Sequence, residues 1–114
     1  NLPDGVALEV AAAPPEVDAS IASACALLVS ELVANAARHA FPGGGGGTVR
    51  VEGRPEGGGY LLAVADDGVG FTPGVGGAGL GLMIAAALAG QVGGALTHPA
   101  VARGSRVELR FSPG

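Results

Sequence analysis

One long segment of the chain combines a helical apolar stripe with a group of polar residues. Between Asp18 and Ala40 apolar side chains recur every three or four residues, which predicts a helix over this range. The stripe consists of Ile21, Cys25, Leu28, Leu32 and Ala36, widened by Val29 and Val33. Asp18 or Ser20 can cap the start of this helix, and Phe41-Pro42 with the glycine run after it ends it.

The remaining periodic segments predict strands around one further helix. Residues 6–12 alternate in polarity and predict a strand with one buried face. Two short apolar runs, 48–53 and 60–65, flank the loop-forming residues 54–59 and predict a hairpin with a longer loop. The other predicted elements are a helix from about Leu80 to Val92, ended by Gly93-Gly94, and a strand pair over Ala95–His98 and Arg103–Phe111.

This order of elements predicts an α+β fold. Paired strands with two helices between them favour a two-layer α/β sandwich, in which a mixed, mostly antiparallel sheet is covered by helices on one face. With 114 residues the chain has the size of one domain, residues 1–114.

Composition narrows the possible partners. The net charge is −4 and all six basic residues are arginines, so no basic stripe for nucleic acid is present. Cys25, the single cysteine, is expected to be a buried thiol, and one cysteine makes a zinc site implausible. Without a signal peptide or an unbroken apolar run of about 18 residues, we expect a cytoplasmic domain with no membrane contact.

The polar residues of the first predicted helix share one face. Glu31, Asn35, Arg38 and His39 stand at positions i, i+4, i+7 and i+8, so a carboxylate, a carboxamide and up to two cationic groups lie side by side. An anionic ligand with a metal ion could use all of them.

A second candidate site follows the strand predicted at 60–65. Asp66 stands at the strand end with Gly68 and Gly70 behind it, which lets a ligand approach the backbone closely. The carboxylate could accept a hydrogen bond from an exocyclic amine such as that of adenine, and would repel the guanine carbonyl oxygen in the same place. An ordinary Asp-Asp-Gly turn explains the motif equally well.

The glycine-rich stretch 74–79 matches G-x-G-x-x-G but does not fit a dinucleotide-binding fold. It does not follow a strand directly, and the acidic residue expected roughly 20 residues further on is missing, since the next one after the stretch is Glu108. A Walker A loop is excluded because the chain has no lysine. The stretch instead leads through Gly79, Leu80 and Gly81 into a helix start, where free N–H groups favour phosphate.

Taken in order, these blocks resemble the N, G1 and G2 boxes of the Bergerat-fold (GHKL) ATPases. The blocks are Glu31-x-x-x-Asn35 with Arg38-His39, Asp66-x-Gly68-x-Gly70, Gly77-x-Gly79-x-Gly81 and a terminal Gly104-Ser105. The resemblance covers residues 6–111. It is strongest to the ATP-binding catalytic domain of bacterial sensor histidine kinases of the HWE type.

The resemblance implies roles for these residues. Asn35 would coordinate Mg²⁺ on the phosphates of ATP, Glu31 would orient or deprotonate the attacking group, and Arg38 and His39 would face the phosphates. At the base end, Asp66 would read the adenine amine beside Gly68 and Gly70, with Ser105 supporting it through a water. Gly77, Gly79, Leu80 and Gly81 would flank the triphosphate. No F box is evident, which leaves closure of the short lid open.

The implied activity is that of a protein histidine kinase. The acceptor histidine would lie on a separate dimerisation domain, with a response regulator downstream, so this chain alone should bind Mg-ATP without phosphorylating itself. Three alternatives remain open at this point: an anti-sigma-factor-type serine kinase, a nucleotide-binding regulatory module without turnover, and a purely structural interaction domain.

Overall fold

Five strands and two helices make up the part of the chain that the structure describes. The structure is a computed structural model and describes residues 5–12, 17–39, 46–69 and 79–112. In chain order the elements are β1 (Val6–Ala12), α1 (Ala19–His39), β2 (Gly47–Glu56), β3 (Gly59–Asp66), α2 (Gly79–Gln91), β4 (Ala95–Thr97) and β5 (Ser105–Phe111).

The strands form one sheet in the order β1-β2-β3-β5-β4. β1 pairs with β2 in parallel, and the three other pairs are antiparallel. This mixed, mostly antiparallel sheet with its helices confirms the predicted α+β class.

The core lies between the helices and the inner face of the sheet. Leu28 on α1, Ala85 on α2 and Leu109 on β5 are almost completely buried there. Cys25 is buried in the same core, as predicted, and burial raises the pKa of its thiol. By length and composition alone, residues 19–38 of α1 would also pass as a membrane span, but this helix packs on α2 and on the sheet as a core helix does.

The ends of both helices follow predicted local chemistry. Asp18 is the N-cap of α1: its Oδ1 accepts a hydrogen bond from the Ile21 N–H at 3.0 Å, and this bond lowers the pKa of the carboxyl. At the end of α2, Gly93 has φ of 73°, and the Gly94 N–H donates to the Ala89 carbonyl at 2.9 Å. This is a Schellman cap, which satisfies a carbonyl that the helix itself leaves unpaired.

Two predictions about the strands were wrong. β1 has no buried face, because α1 lies over β2 and β3 and leaves Leu8 48% and Val10 64% exposed. The hairpin between β2 and β3 has no long loop: β2 continues to Glu56 and turns through Gly57-Gly58 alone. Both glycines have positive φ, 54° and 82°, which a two-residue turn between twisted strands requires.

The outer face of the sheet carries a closed ring of alternating charges. Each side chain pairs with the next at 2.6–3.9 Å, in the order Glu52, Arg106, Glu108, Arg110, Glu56, Arg54 and back to Glu52. The ring joins side chains of β2 and β5 across β3, and it encloses Leu61 and Ala63 of β3, each only 1% exposed. The long side chains thereby cover the middle strand where no helix does.

Candidate nucleotide-binding site

The topology places the described parts of the predicted site at one end of the sheet. Because β1 and β2 are parallel, α1 must return along the sheet and finish near the start of β2. β3 ends at this same end, where the pairing of Asp66 with Ser105 puts the start of β5. α2 ends beside Arg110 and Phe111 at the far end of β5, so its first turn lies toward the end of the sheet that holds Asp66.

Asp66 is held at the end of β3 by two hydrogen bonds. Its Oδ1 accepts from the Gly68 N–H at 2.9 Å, and its Oδ2 accepts from the Ser105 hydroxyl at 2.6 Å. The residue is only 9% exposed. A carboxylate fixed on both sides has one orientation, so it can accept a further hydrogen bond from a ligand at a defined place. The expectation that Ser105 supports Asp66 through a water was wrong, because its hydroxyl reaches the carboxylate directly across the strand pair.

The residues on either side brace this arrangement. Asp67 Oδ1 accepts a hydrogen bond from the Thr48 N–H at 2.8 Å, which ties the turn after β3 to the start of β2. Gly104 has φ of 76°, and a Cβ there would overlap the Asp66 carbonyl oxygen. The Arg103 Nε–H donates to the Asp67 carbonyl at 2.9 Å. The chain before β5 therefore lies directly against the turn after β3.

On α1 the predicted polar residues differ in their environment. Asn35 is 3% exposed, Glu31 one turn earlier is half-buried, and Arg38 is exposed. Asn35 Oδ1 is buried and accepts no hydrogen bond from the described residues. An unpaired buried carbonyl oxygen costs folding free energy, so a ligand, an ion or an ordered water would supply the missing partner.

Mg²⁺ fits this oxygen chemically. Magnesium prefers oxygen ligands and is bound by few protein groups together with substrate phosphates and water. Among the described residues no three His, Cys, Asp or Glu side chains form a metal cluster. Asn35 would hold the ion together with phosphate oxygens of a ligand and water.

Several predicted site residues lie outside the described residues or at the ends of helices. Gly70 and Gly77 lie outside the described residues, as does most of the predicted lid. His39 is the last residue of α1, and Gly79, Leu80 and Gly81 form the first turn of α2. The prediction that Gly79, Leu80 and Gly81 flank phosphate thus concerns the first turn of α2, where free N–H groups favour an anion.

The sequence analysis missed two residues of this site. Asp67 was treated as part of the Asp-Asp-Gly turn, although its carboxylate braces Thr48. Arg103 was assigned only to a strand, although it precedes β5 and binds the turn after β3. The pair Gly104-Ser105 was a usable signal for this segment, because a glycine allows the close approach of another part of the molecule to the backbone.

Comparison with known proteins agrees with this geometry. Residues 21–114 match the family described as histidine kinase-, DNA gyrase B- and HSP90-like ATPases. None of the curated proteins compared matches the chain in sequence.

Solved structures of histidine kinases share the fold. The histidine kinase domain of the Erythrobacter litoralis EL346 blue-light activated histidine kinase is 27% identical, with a TM-score of 0.83 over 97% of this chain and 56% of that one. A longer EL346 structure gives a TM-score of 0.85 at 27% identity, over 97% of this chain and 36% of that one. The mycobacterial sensor histidine kinase MprB is 26% identical, with a TM-score of 0.71 over 96% of this chain and 85% of that one.

The chain thus spans about half or less of the EL346 structures that it matches. These matches confirm the resemblance predicted from the sequence. Together with the family match over most of the chain, they establish that the chain belongs to the histidine kinase-, DNA gyrase B- and HSP90-like ATPases.

Proposed function

We propose that this chain binds Mg-ATP and donates its γ-phosphoryl group to a histidine on a separate dimerisation domain. The observation that carries the proposal is the buried, unpaired Asn35 Oδ1 at the sheet end that also holds Asp66. The first suits a metal-bound phosphate and the second suits an adenine amine. Membership of the ATPase family and the likeness to histidine kinases support ATP as the nucleotide and histidine as the acceptor.

In this proposal each residue acts on one part of the substrate. Asp66 accepts a hydrogen bond from the adenine amine while Ser105 holds its other oxygen. Asn35 ligates Mg²⁺, which neutralises phosphate charge when bound. The N–H groups of the first turn of α2 and the Arg38 guanidinium face the phosphates, together with His39.

The chemical step is a displacement at the γ-phosphorus. A nitrogen of a neutral imidazole forms the new bond through its lone pair, and the bond from phosphorus to the β–γ bridging oxygen breaks, so that ADP leaves with the electron pair. Glu31 orients the attacking group or accepts its proton. Most of the catalysis is positioning and electrostatic stabilisation, as is general for phosphoryl transfer.

The proposal extends to the cellular setting. The phosphorylated histidine domain would pass its phosphoryl group to a response regulator, and the domain described here would work in the cytoplasm. Without the histidine domain, the chain would bind Mg-ATP and remain unphosphorylated.

Transfer of labelled phosphate tests the proposal. The chain is incubated with γ-labelled Mg-ATP alone and with an added histidine-bearing dimerisation domain from a histidine kinase most similar to it. We expect acid-labile label on the added domain only, and none with Asn35→Leu. Acid-stable label on a serine, or label on His39 or His98 of this chain, would contradict the proposal. Tight ATP binding without any transfer would identify a regulatory module.

A further inference from the structure

Arg103 differs from the arginines on the outer face of the sheet in its surroundings. The four arginines of that face, Arg50, Arg54, Arg106 and Arg110, are all paired with glutamates. Arg103 lies instead at the end of the sheet that holds Asp66, and it forms no ion pair with the described residues. Its single hydrogen bond in that part of the structure runs from Nε to the Asp67 carbonyl.

This hydrogen bond fixes the side chain but leaves most of its donors unused. A guanidinium has five N–H donors, of which Nε provides one. The four on the terminal nitrogens have no acceptor among the described residues, and the residue is exposed. The bond to Asp67 therefore holds a flat, charged group beside the turn that follows Asp66.

The position of this group indicates which part of a nucleotide it can reach. Asp66, the proposed reader of the base, is the residue before Asp67, and its partner Ser105 is two residues after Arg103. The proposed phosphate contacts are on α1 and at the start of α2. Arg103 is thus tied to the base end of the site.

A flat cation is useful at this end. A guanidinium stacks on aromatic rings and also donates hydrogen bonds in its own plane. Within the described residues the aromatic side chains, Tyr60 and Phe111, pack on each other in the core at the opposite end of β3. They cannot supply a platform for a base.

We propose that Arg103 is an additional nucleotide-binding residue that contacts the adenosine moiety of ATP directly, through its guanidinium plane or its free N–H groups. This inference rests on the proposed function and adds a contact to it. The alternative is that Arg103 acts only as a brace, holding the turn that carries Asp66.

Binding measurements with a nucleotide series separate these possibilities. Adenosine, ADP, ATP and inosine triphosphate are titrated by calorimetry, in the presence of Mg²⁺, into the wild-type chain and the variants Arg103→Ala and Arg54→Ala. Arg54 is a matched control, because it is also exposed but lies in the charged ring on the outer face. The thermal midpoint without nucleotide is recorded for each variant.

For a direct contact we expect Arg103→Ala to weaken adenosine, ADP and ATP by the same factor, roughly 5- to 20-fold, as for loss of a cation–π or hydrogen-bond contact. The preference for ATP over inosine triphosphate should stay as in the wild type, because Asp66 still reads the amine. Arg54→Ala should bind like the wild type.

Three results would overturn the inference. Affinities of Arg103→Ala within twofold of the wild type would show that the residue does not touch the ligand. A loss that grows from adenosine to ATP would place Arg103 at the phosphates. A collapse of the preference for ATP over inosine triphosphate would show that it acts only through Asp66. If the wild-type chain itself bound no nucleotide, the proposed function would fall as well, so the two failures are distinguishable.

Discussion

Gly104 connects the stability of the fold to the candidate site, and its replacement gives the sharpest prediction. In Gly104→Ala the new Cβ would overlap the Asp66 carbonyl oxygen, and φ of 76° is a conformation that alanine disfavours. The start of β5 must therefore move away from the turn after β3. This movement removes the hydrogen bond from Ser105 to Asp66 and the one from Arg103 to Asp67.

The expected magnitude has two parts. Left-handed backbone costs an alanine about 1–2 kcal/mol, offset by about 0.4–1 kcal/mol from the stiffer unfolded chain. Breaking the hydrogen bond from Ser105 to the Asp66 carboxylate and the solvent-exposed one from the Arg103 guanidinium adds about 2–4 kcal/mol. Gly104→Ala should thus lower the free energy of unfolding by about 3–5 kcal/mol. A domain of this size has roughly 6–17 kcal/mol in total, so the variant should still fold.

Gly58→Ala is the matched control. Gly58 has a similar φ of 82°, but a Cβ there would meet no atom within 4 Å. It should cost only about 1 kcal/mol, the backbone part alone. Urea denaturation measures both free energies, and titration with ATP measures the site. We expect the affinity for ATP to fall at least about tenfold in Gly104→Ala, because Asp66 loses its fixed orientation; tenfold corresponds to about 1.4 kcal/mol. The affinity of Gly58→Ala for ATP should be unchanged. Equal destabilisation by the two substitutions would refute the reasoning.

Four further predictions follow from burial and charge. Asn35→Leu should abolish Mg-dependent ATP binding in a titration. In urea denaturation the nucleotide-free variant should be equally stable or up to about 2 kcal/mol more stable, because the substitution removes an unpaired buried oxygen. A large loss of stability would show that this oxygen has a protein partner. Arg106→Met should lower the free energy of unfolding by about 1–3 kcal/mol, because Arg106 is largely buried in the charged ring. Arg50→Met, which removes an exposed ion pair, should change it by less than about 0.5 kcal/mol. The hydrogen bond from Arg106 lowers the pKa of Glu52, so the stability due to this pair is present above the usual glutamate pKa and is lost as pH falls through the lowered pKa. Urea midpoints recorded from pH 6 to pH 2 should therefore fall less steeply for Arg106→Met than for the wild type. Identical profiles would contradict this role of Arg106. Cys25 should react with a thiol reagent at least about tenfold more slowly in the folded chain than in urea, as followed by mass spectrometry, because burial raises its pKa; equal rates would show that the core opens readily.

The local sequence was sufficient for most elements and for part of the site. The three-to-four-residue spacing predicted α1 nearly to its ends, and Asp18 and Gly93-Gly94 marked helix boundaries through side-chain and backbone chemistry of their own. The order of Asn35, Asp66 and the glycines before α2 was enough to indicate a nucleotide site. Such features depend on neighbours within one turn of helix or one strand end, and the sequence contains those neighbours.

Other features depend on which segments the sheet brings together. The alternation in β1 predicted a buried face, but burial was decided by where α1 lies, over β2 and β3. The glycines after Glu56 predicted a long loop. The sequence pattern does not show that β2 and β3 stay paired up to Glu56 and Gly59, so that two residues suffice for the turn. The charged ring likewise joins residues up to 54 positions apart and cannot be read from local spacing.

The sequence by itself determined the helices, the strands and the chemical types at the site, because periodicity and capping are local. Only the tertiary structure decided that Ser105 and Arg103 meet the turn around Asp66, since strand register brings together residues almost 40 positions apart. It also left Asn35 Oδ1 buried without a partner, which no sequence pattern reveals, because burial is a property of the whole packed domain.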